Sequence, residues 1–293
     1  MAPAHVQPGP PPRSDLLHNK VVGGCAARIG ALVLVLSVLA AFLMIFEEKL
    51  IYFPARELEA TPGALGLPHD EVFLTASDGT RIHGWFLPAD PPGRGAVLVC
   101  HGNAGNVSGR LDRAVRLENE LGLDVFLFDY RGFGRSEGSP DEEGTYQDGL
   151  AAYGYLAEDR GIEPSRIVLF GESLGAAVAI ELARRVPAGA LVLEAPFTSI
   201  AAMAKVAYPF LPTFWVRTKY DSLSKIGEVG LPVLIFHGTR DDVVPFAQGE
   251  ELFRAAREPK TFVPVEGAGH SDAYERGGDA YWNAFRETVR FSR

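Results

Sequence analysis

Cysteine is scarce in this chain: two residues in 293, Cys25 and Cys100. The first precedes a long apolar stretch and the second ends a short apolar run, so they are not expected to meet. A disulfide framework is therefore excluded as a source of stability, and the pair does not identify a compartment. Positive charge is also in short supply. Twenty-eight Lys and Arg face 37 Asp and Glu, giving a net charge of −9. Binding to nucleic acid needs clustered cations to neutralise phosphates, and no such cluster exists here, so a nucleic-acid partner is excluded. The Gly-Lys-Ser/Thr ending of a phosphate-binding loop is missing. No spacing of His, Cys and acidic residues suits a catalytic metal, so neither metal nor cofactor is expected. There is no internal repeat.

Hydrophobic residues, by contrast, make up 47% of the chain, ample for one large core. They are unevenly spread. Residues 1–28 hold Pro3, Pro8, Pro10, Pro11 and Pro12 with few groups that could form a core, which predicts a disordered tail. Residues 29–46, IGALVLVLSVLAAFLMIF, carry no charge. As a helix this run would span about 27 Å, close to the thickness of a hydrocarbon core. Every face is apolar, which suits lipid better than the core of a soluble domain. The run reads as an uncleaved signal anchor, the rival being a cleaved signal with Val38 and Ala40 at the small-residue positions. Arg13, Lys20 and Arg28 precede it, whereas Lys49 and Arg56 follow among glutamates. That slight bias predicts a single-pass protein with its amino terminus inside and the domain that follows on the non-cytoplasmic side.

Residues 47–68 read as a connector, and 69–293 as one domain. Within the connector, Leu50-Ile-Tyr-Phe-Pro54 could place its rings at a membrane interface or pack against the domain. Val72–Thr75 and Arg81–Leu87 predict an antiparallel hairpin turned at Ser77-Asp78-Gly79. Beyond it, short apolar runs at 96–100, 125–128, 167–170, 191–193, 233–236 and 261–265 alternate with helical segments. The fold class is α/β: a mostly parallel eight-stranded sheet flanked by helices.

Gly171-Glu-Ser-Leu-Gly175 falls between the apolar run 166–170 and a helical pattern starting at Leu174. A Gly-x-Ser-x-Gly turn squeezed between strand and helix holds its serine in a strained conformation with the hydroxyl raised at the carboxyl edge of the sheet. Ser173 is thus the candidate nucleophile. His101-Gly-Asn-Ala-Gly-Asn106 follows an earlier strand, and such a small, glycine-rich loop turns backbone N–H groups into the crevice above the strands. The N–H groups of Asn103 and Leu174 are the candidate oxyanion hole. In Asp129-Tyr-Arg-Gly-Phe-Gly-Arg-Ser-Glu-Gly138, Asp129 is expected to stabilise its loop and Arg131 and Arg135 to form structural ion pairs, with binding of a substrate carboxylate as the alternative.

HGNAGN at His101, DYRGFGRSEG at Asp129, GESLG around Ser173, HGTRDDVVP at His237 and GAGH ending at His270, with Tyr52-Phe-Pro54, cover nearly all of the chain after the apolar run. In these stretches the protein resembles the α/β-hydrolase superfamily, and within it the branch of membrane-anchored α/β-hydrolase-domain serine hydrolases. The resemblance implies a Ser-Asp-His order of catalytic residues. Asp241 matches the position of the acid, with Asp242 and, more remotely, Glu194 as alternatives. His270 matches the base, a role that imidazole suits because its unperturbed pKa lies near 6.5.

Residues 195–230 read as an apolar, partly helical cap. Its lining favours a small-molecule or lipid-like acyl substrate. The activity implied is hydrolysis of a carboxylic ester or thioester through an acyl-enzyme. Peptidase, amidase or acyltransferase chemistry with the same triad is the alternative, followed by a non-catalytic binding protein on the same fold.

Overall fold

The computed structural model describes residues 46–91, 94–209 and 212–290, with Arg28, Gly30, Ala31, Leu34, Val35, Ser37, Val38 and Ala41, each of these eight helical. The proline-rich tail and most of the apolar run 29–46 lie outside the described residues. Among the described residues no helix is long and apolar enough to cross a membrane. The residues from Glu47 onward form a compact unit of their own.

Ten strands run through the described residues of the larger unit: β1 (Phe53–Pro54), β2 (Asp70–Thr75), β3 (Arg81–Leu87), β4 (Ala96–Cys100), β5 (Ala104–Gly105), β6 (Asp124–Phe128), β7 (Ile167–Glu172), β8 (Ala190–Glu194), β9 (Val233–Gly238) and β10 (Lys260–Val265). Eight of them form one sheet in the order β10-β9-β8-β7-β4-β6-β3-β2. β2 and β3 are an antiparallel hairpin, β3 pairs antiparallel with β6, and every other pairing in this sheet is parallel. The remaining two strands, β1 and β5, pair with each other.

The central strands read as unbroken apolar runs because both faces are covered. Side chains alternate between them with the two-residue period of a strand. On one face Leu98, Phe126, Leu169, Leu191 and Ile235 join the first core. Their neighbours Val97, Val125, Val168, Val192 and Leu234 join the second. The first core is covered by α2 (Glu142–Gly154), α3 (Leu174–Arg185), α5 (Ser222–Ile226) and α6 (Phe246–Ala255), the second by α1 (Leu111–Leu121) and α8 (Gly278–Thr288). In α1 the buried residues Leu111, Ala114, Leu117 and Leu121 fall on one stripe, and Gly122 ends the helix at φ 62° with its N–H on Glu118 O. Asp141 caps α2 by accepting the Gly144 N–H at 2.9 Å. Two further helices, α4 (Ile200–Ala207) and α7 (Ala273–Arg276), lie in the cap segment and after the last strand.

Strand order reverses at β4, which has β6 on one side and β7 on the other. Ligands in open α/β sheets bind outside the carboxyl ends of the strands at such a reversal. The loops after β4 and β7 are those that carry Asn103 and Ser173.

The segment after the apolar run is woven into the larger unit. Ile51 and Tyr52 are buried in the first core. The Tyr52 hydroxyl meets that of Tyr220 at 2.8 Å. Packing against the domain is thus the reading that holds for Tyr52, whereas Phe53 stays exposed.

Candidate active site

Ser173 sits between β7 and α3 at φ 53°, ψ −115°, a region that side chains with a Cβ rarely enter. The glycines on either side make this possible by removing atoms. A Cβ on Gly171 would lie 2.4 Å from Gly175 O, and one on Gly175 only 1.9 Å from Cys100 O and 2.5 Å from His101 O. The turn after β7 therefore meets the end of β4 backbone to backbone. The Ser173 N–H donates to Glu194 O at 2.9 Å, tying the turn to β8 as well.

Asp241 follows β9 in a tight turn. Its Oδ1 accepts the N–H groups of Val243 and Val244 at 2.9 and 2.8 Å, which fixes the carboxylate and turns Oδ2 inward. Oδ2 accepts His270 Nδ1–H at 2.9 Å, and His237 Nε2 lies 3.4 Å from it. Asp242 faces solvent instead. Glu194 is buried and bonded to Arg113 and Tyr281, at 2.8 Å each, without touching His270.

His270 reaches the site on the loop after β10. A Cβ on Gly238 would stand 2.4 Å from both Ala268 O and Gly269 O, so the end of β9 lets this loop lie directly upon it. Gly269 N–H donates to Asp272 Oδ1 at 2.7 Å and Arg240 N–H to Ala268 O at 2.9 Å, which fixes the loop on both sides of the histidine. With Nδ1–H committed to the Asp241 carboxylate, which can only accept, Nε2 is left as the acceptor for Ser173 Oγ–H, 3.0 Å away.

The electrostatics favour protonation of this imidazole. Burial opposes the charge, but the hydrogen bond and the negative charge of Asp241, with Glu172 and Glu194 behind, outweigh it and raise the His270 pKa above 6.5. Burial would also raise Asp241, yet its contacts with His237 and His270 and the Val244 N–H hold it well below the usual carboxylate range. Cys100, the nearest thiol in sequence to the His101 loop, is free and buried, and desolvation pushes it up to about 12. It is no rival nucleophile at neutral pH.

Leu174 opens α3, where the first N–H groups of a helix have no carbonyl one turn earlier to bond. The loop carrying Asn103 is pinned from three directions. Asn103 Nδ2 donates to Ile51 O at 2.7 Å, Asn103 O accepts the Phe53 N–H at 2.9 Å, and Tyr130 OH donates to His101 O at 3.1 Å. The sequence offered no sign of the first two, which come from the segment read as a connector.

A buried charged network beneath the serine was also missed. Arg113 of α1 bonds Glu194 and lies 3.6 Å from Glu172 Oε2, while Arg110 lies 3.5 Å from the same oxygen. Burial would raise the Glu172 pKa, but Arg113 and Arg110, with His270 and His101 beyond, hold it below 4.5. Glu172 is adjacent to the serine, and that adjacency was the one available signal. Arg131 and Arg135 form structural pairs, with Asp148 and Asp78 and with Glu71. Among the described residues no three His, Cys, Asp or Glu side chains are grouped to hold a metal ion.

The chain is similar over most of its length to known proteins. An uncharacterized protein of Mycobacterium tuberculosis is 42% identical over 260 residues, 88% of this chain and 92% of the relative. The α/β hydrolase domain-containing protein WAV2 of Arabidopsis thaliana is 38% identical over 267 residues, 83% and 87% of the two chains. Residues 91–226 match the family described as serine aminopeptidase, S33. Among solved structures, an esterase of Pyrococcus furiosus superposes with a TM-score of 0.69 at 19% identity, covering 82% of this chain and 97% of the other. At that identity the likeness concerns the fold. Together with the sheet order and the strained serine turn, these similarities identify the chain as a serine hydrolase in its general chemistry and a member of the α/β-hydrolase family.

Proposed function

We propose that the protein cleaves a carboxylic ester or thioester through an acyl-enzyme, and that residues 29–46 tether it to a membrane with the catalytic unit on the non-cytoplasmic side. The observation that carries the chemistry is the unbroken hydrogen-bonded line from Ser173 Oγ through His270 to Asp241, at 3.0 and 2.9 Å, beginning on a serine held at positive φ. Ser173 Oγ attacks the carbonyl carbon while its proton passes to His270 Nε2. Asp241 holds the tautomer and stabilises the imidazolium. The backbone N–H groups of Asn103 and Leu174 receive the oxyanion. Collapse of the tetrahedral intermediate expels the alkoxide or thiolate, which takes the proton from His270. Water then adds to the acyl-enzyme, giving one proton to His270, and the carboxylic acid leaves as that proton returns to Ser173.

The apolar cap supports an acyl or alkyl substrate, and the charge-free run supports the tether. The match to the serine aminopeptidase, S33, family favours a second reading, in which the bond cleaved is an amide. Relative turnover of ester, thioester and aminoacyl-amide substrates separates the two. The primary test is labelling of the purified full chain with a fluorophosphonate. Wild type is expected to label, and Ser173→Ala and His270→Ala are not. A folded wild type that fails to label would point to a binding protein on a hydrolase fold.

A further inference from the structure

Five of the eight large apolar side chains exposed on the described residues of the larger unit lie in or beside the cap, the others being Leu65, Phe73 and Val243. Phe214 is 81% exposed, Tyr208 57%, Phe53 55%, Val206 50% and Leu50 46%. They come from segments that the structure joins. Helix α4, which carries Val206 and ends just before Tyr208, packs against the single turn Thr213–Trp215. Glu47 Oε1 accepts the N–H groups of Arg217 and Thr218 at 2.9 and 2.8 Å, and Tyr52 OH meets Tyr220 OH at 2.8 Å. Residues 47–53, with Leu50 and Phe53, therefore run beside the returning arm of the cap.

Charge around this patch opposes that of the molecule. The chain has a net charge of −9, yet residues 199–220 contain Lys205, Arg217 and Lys219 and no acid. All three cations are exposed. Of the nearby carboxylates, Glu47 is turned to the pair above, Glu142 to the N–H groups of Lys219 and Tyr220 at 2.6 and 2.9 Å and Asp221 to the N–H of Ser224 at 3.2 Å, whereas Glu48 is exposed beside Lys49. An apolar patch with aromatic members and a cationic rim fits the boundary between acyl chains and anionic headgroups. It begins one turn beyond Phe46, where the charge-free run ends.

We propose that this face of the cap, formed by Val206, Tyr208 and Phe214 with Leu50 and Phe53 and rimmed by Lys205, Arg217 and Lys219, docks on an anionic lipid surface, so that an acyl substrate reaches Ser173 from the bilayer. The proposal rests on the reading of residues 29–46 as a tether.

The chain supplies its own reporter. Of its three tryptophans, Trp85 and Trp282 are buried at 1% and 4% exposure, whereas Trp215 lies in the patch, and the tail and apolar run hold none. The full chain is reconstituted in phosphatidylcholine–phosphatidylserine vesicles with and without brominated acyl chains. Brominated chains are expected to quench a component of the emission that Trp215→Phe removes. The double variant Tyr208→Asp/Phe214→Asp is expected to lose the quenching while hydrolysing a soluble short-chain ester at the wild-type rate. Extraction with alkaline carbonate reads the tether separately. Quenched emission from a chain that carbonate strips off keeps the surface and removes the tether. Unquenched emission from a chain that carbonate leaves in place overturns the surface and keeps the tether. An unquenched chain that is also stripped off overturns both. Self-association in detergent that the double variant abolishes would assign the patch to a second copy and overturn the proposal.

Discussion

Two aspartates stand near the carboxyl ends of β9 and β6, parallel strands with β8, β7 and β4 between them, each among imidazoles, yet their surroundings differ in kind. Asp241 accepts hydrogens on both of its oxygens, two backbone N–H groups on Oδ1 and His270 Nδ1–H on Oδ2 at 2.9 Å, with His237 Nε2 beside Oδ2 at 3.4 Å. Asp129, just after β6, accepts the Val107 N–H at 2.9 Å but faces His83 Nδ1 and His101 Nε2 at 3.7 Å each. The reason lies on the far side of each ring. His101 Nδ1–H donates to Gly102 O at 2.7 Å and His83 Nε2–H to Glu71 Oε1 at 3.2 Å. With the ring proton placed there, the other ring nitrogen turned towards the carboxylate is an acceptor, and two acceptors keep their distance. Burial dominates at His101 and pushes its pKa below 6.5 against the pull of Asp129, whereas at His270 the Asp241 contact wins and the shift is upward. A carboxylate near an imidazole is thus no evidence of a relay. What distinguishes the relay is where the ring's other nitrogen goes: to a serine in one cluster, to scaffold groups in the other.

The sharpest way to break the comparison is to remove the charge of Asp241. Asp241→Asn is expected to lower kcat by about 10⁴-fold, or roughly 5.5 kcal/mol, because the tautomer and the imidazolium lose their support. Its pH profile carries a second signature. Catalysis needs neutral His270, so kcat/KM of wild type should fall as pH drops through an apparent pKa above 6.5. Without the negative charge that raises it, the His270 pKa falls, and the acid limb should move to lower pH even as the ceiling drops. An unmoved limb would show that His270 is not the titrating base.

The serine turn meets the His101 loop where Gly175 lies against Cys100 O and His101 O. Gly175→Ala forces the serine turn away from the His101 loop, at a cost of about 3 kcal/mol of overpacking. Thermal melting should register that loss, and fluorophosphonate labelling should slow because Leu174 and Asn103 are displaced together. Full labelling at wild-type stability would mean that the turn can open without consequence.

How much of this was legible follows from the range of the interactions. Strands covered on both faces announce themselves as apolar runs, and the sequence placed β4 without error at 96–100. The serine turn was legible because a steric requirement within five residues leaves glycine at both ends. Choosing between Asp241 and Asp242 needed the two N–H bonds from Val243 and Val244 that turn one carboxylate inward, and a linear pattern does not carry that direction. The network of Arg113, Glu172, Glu194 and Tyr281 and the pairing of β1 with β5 join residues tens of positions apart. Each residue there looks ordinary in its own stretch, and only the topology assembles them.

The smallest effect is expected at Asp129, and its sign carries the information. In Asp129→Asn the Oδ1 position still accepts the Val107 N–H, and the amide N–H₂ replaces the oxygen that now faces His83 Nδ1 without a hydrogen bond. A donor then meets an acceptor, so stability should rise by about 1 kcal/mol. Fluorophosphonate labelling should be unchanged, since the ring nitrogens of this cluster do not reach Ser173. Acid sensitivity separates the contributions further. A histidine whose folded pKa is depressed costs stability as pH falls below its unfolded pKa near 6.5, because the unfolded chain then binds the proton more readily. His270, with its raised pKa, contributes stability that is present below that point and lost as pH rises through its folded value. If Asp129→Asn instead lost several kcal/mol at neutral pH, one of the two imidazoles would have to be a cation paired with the aspartate, and the contrast between the clusters would lie in burial alone.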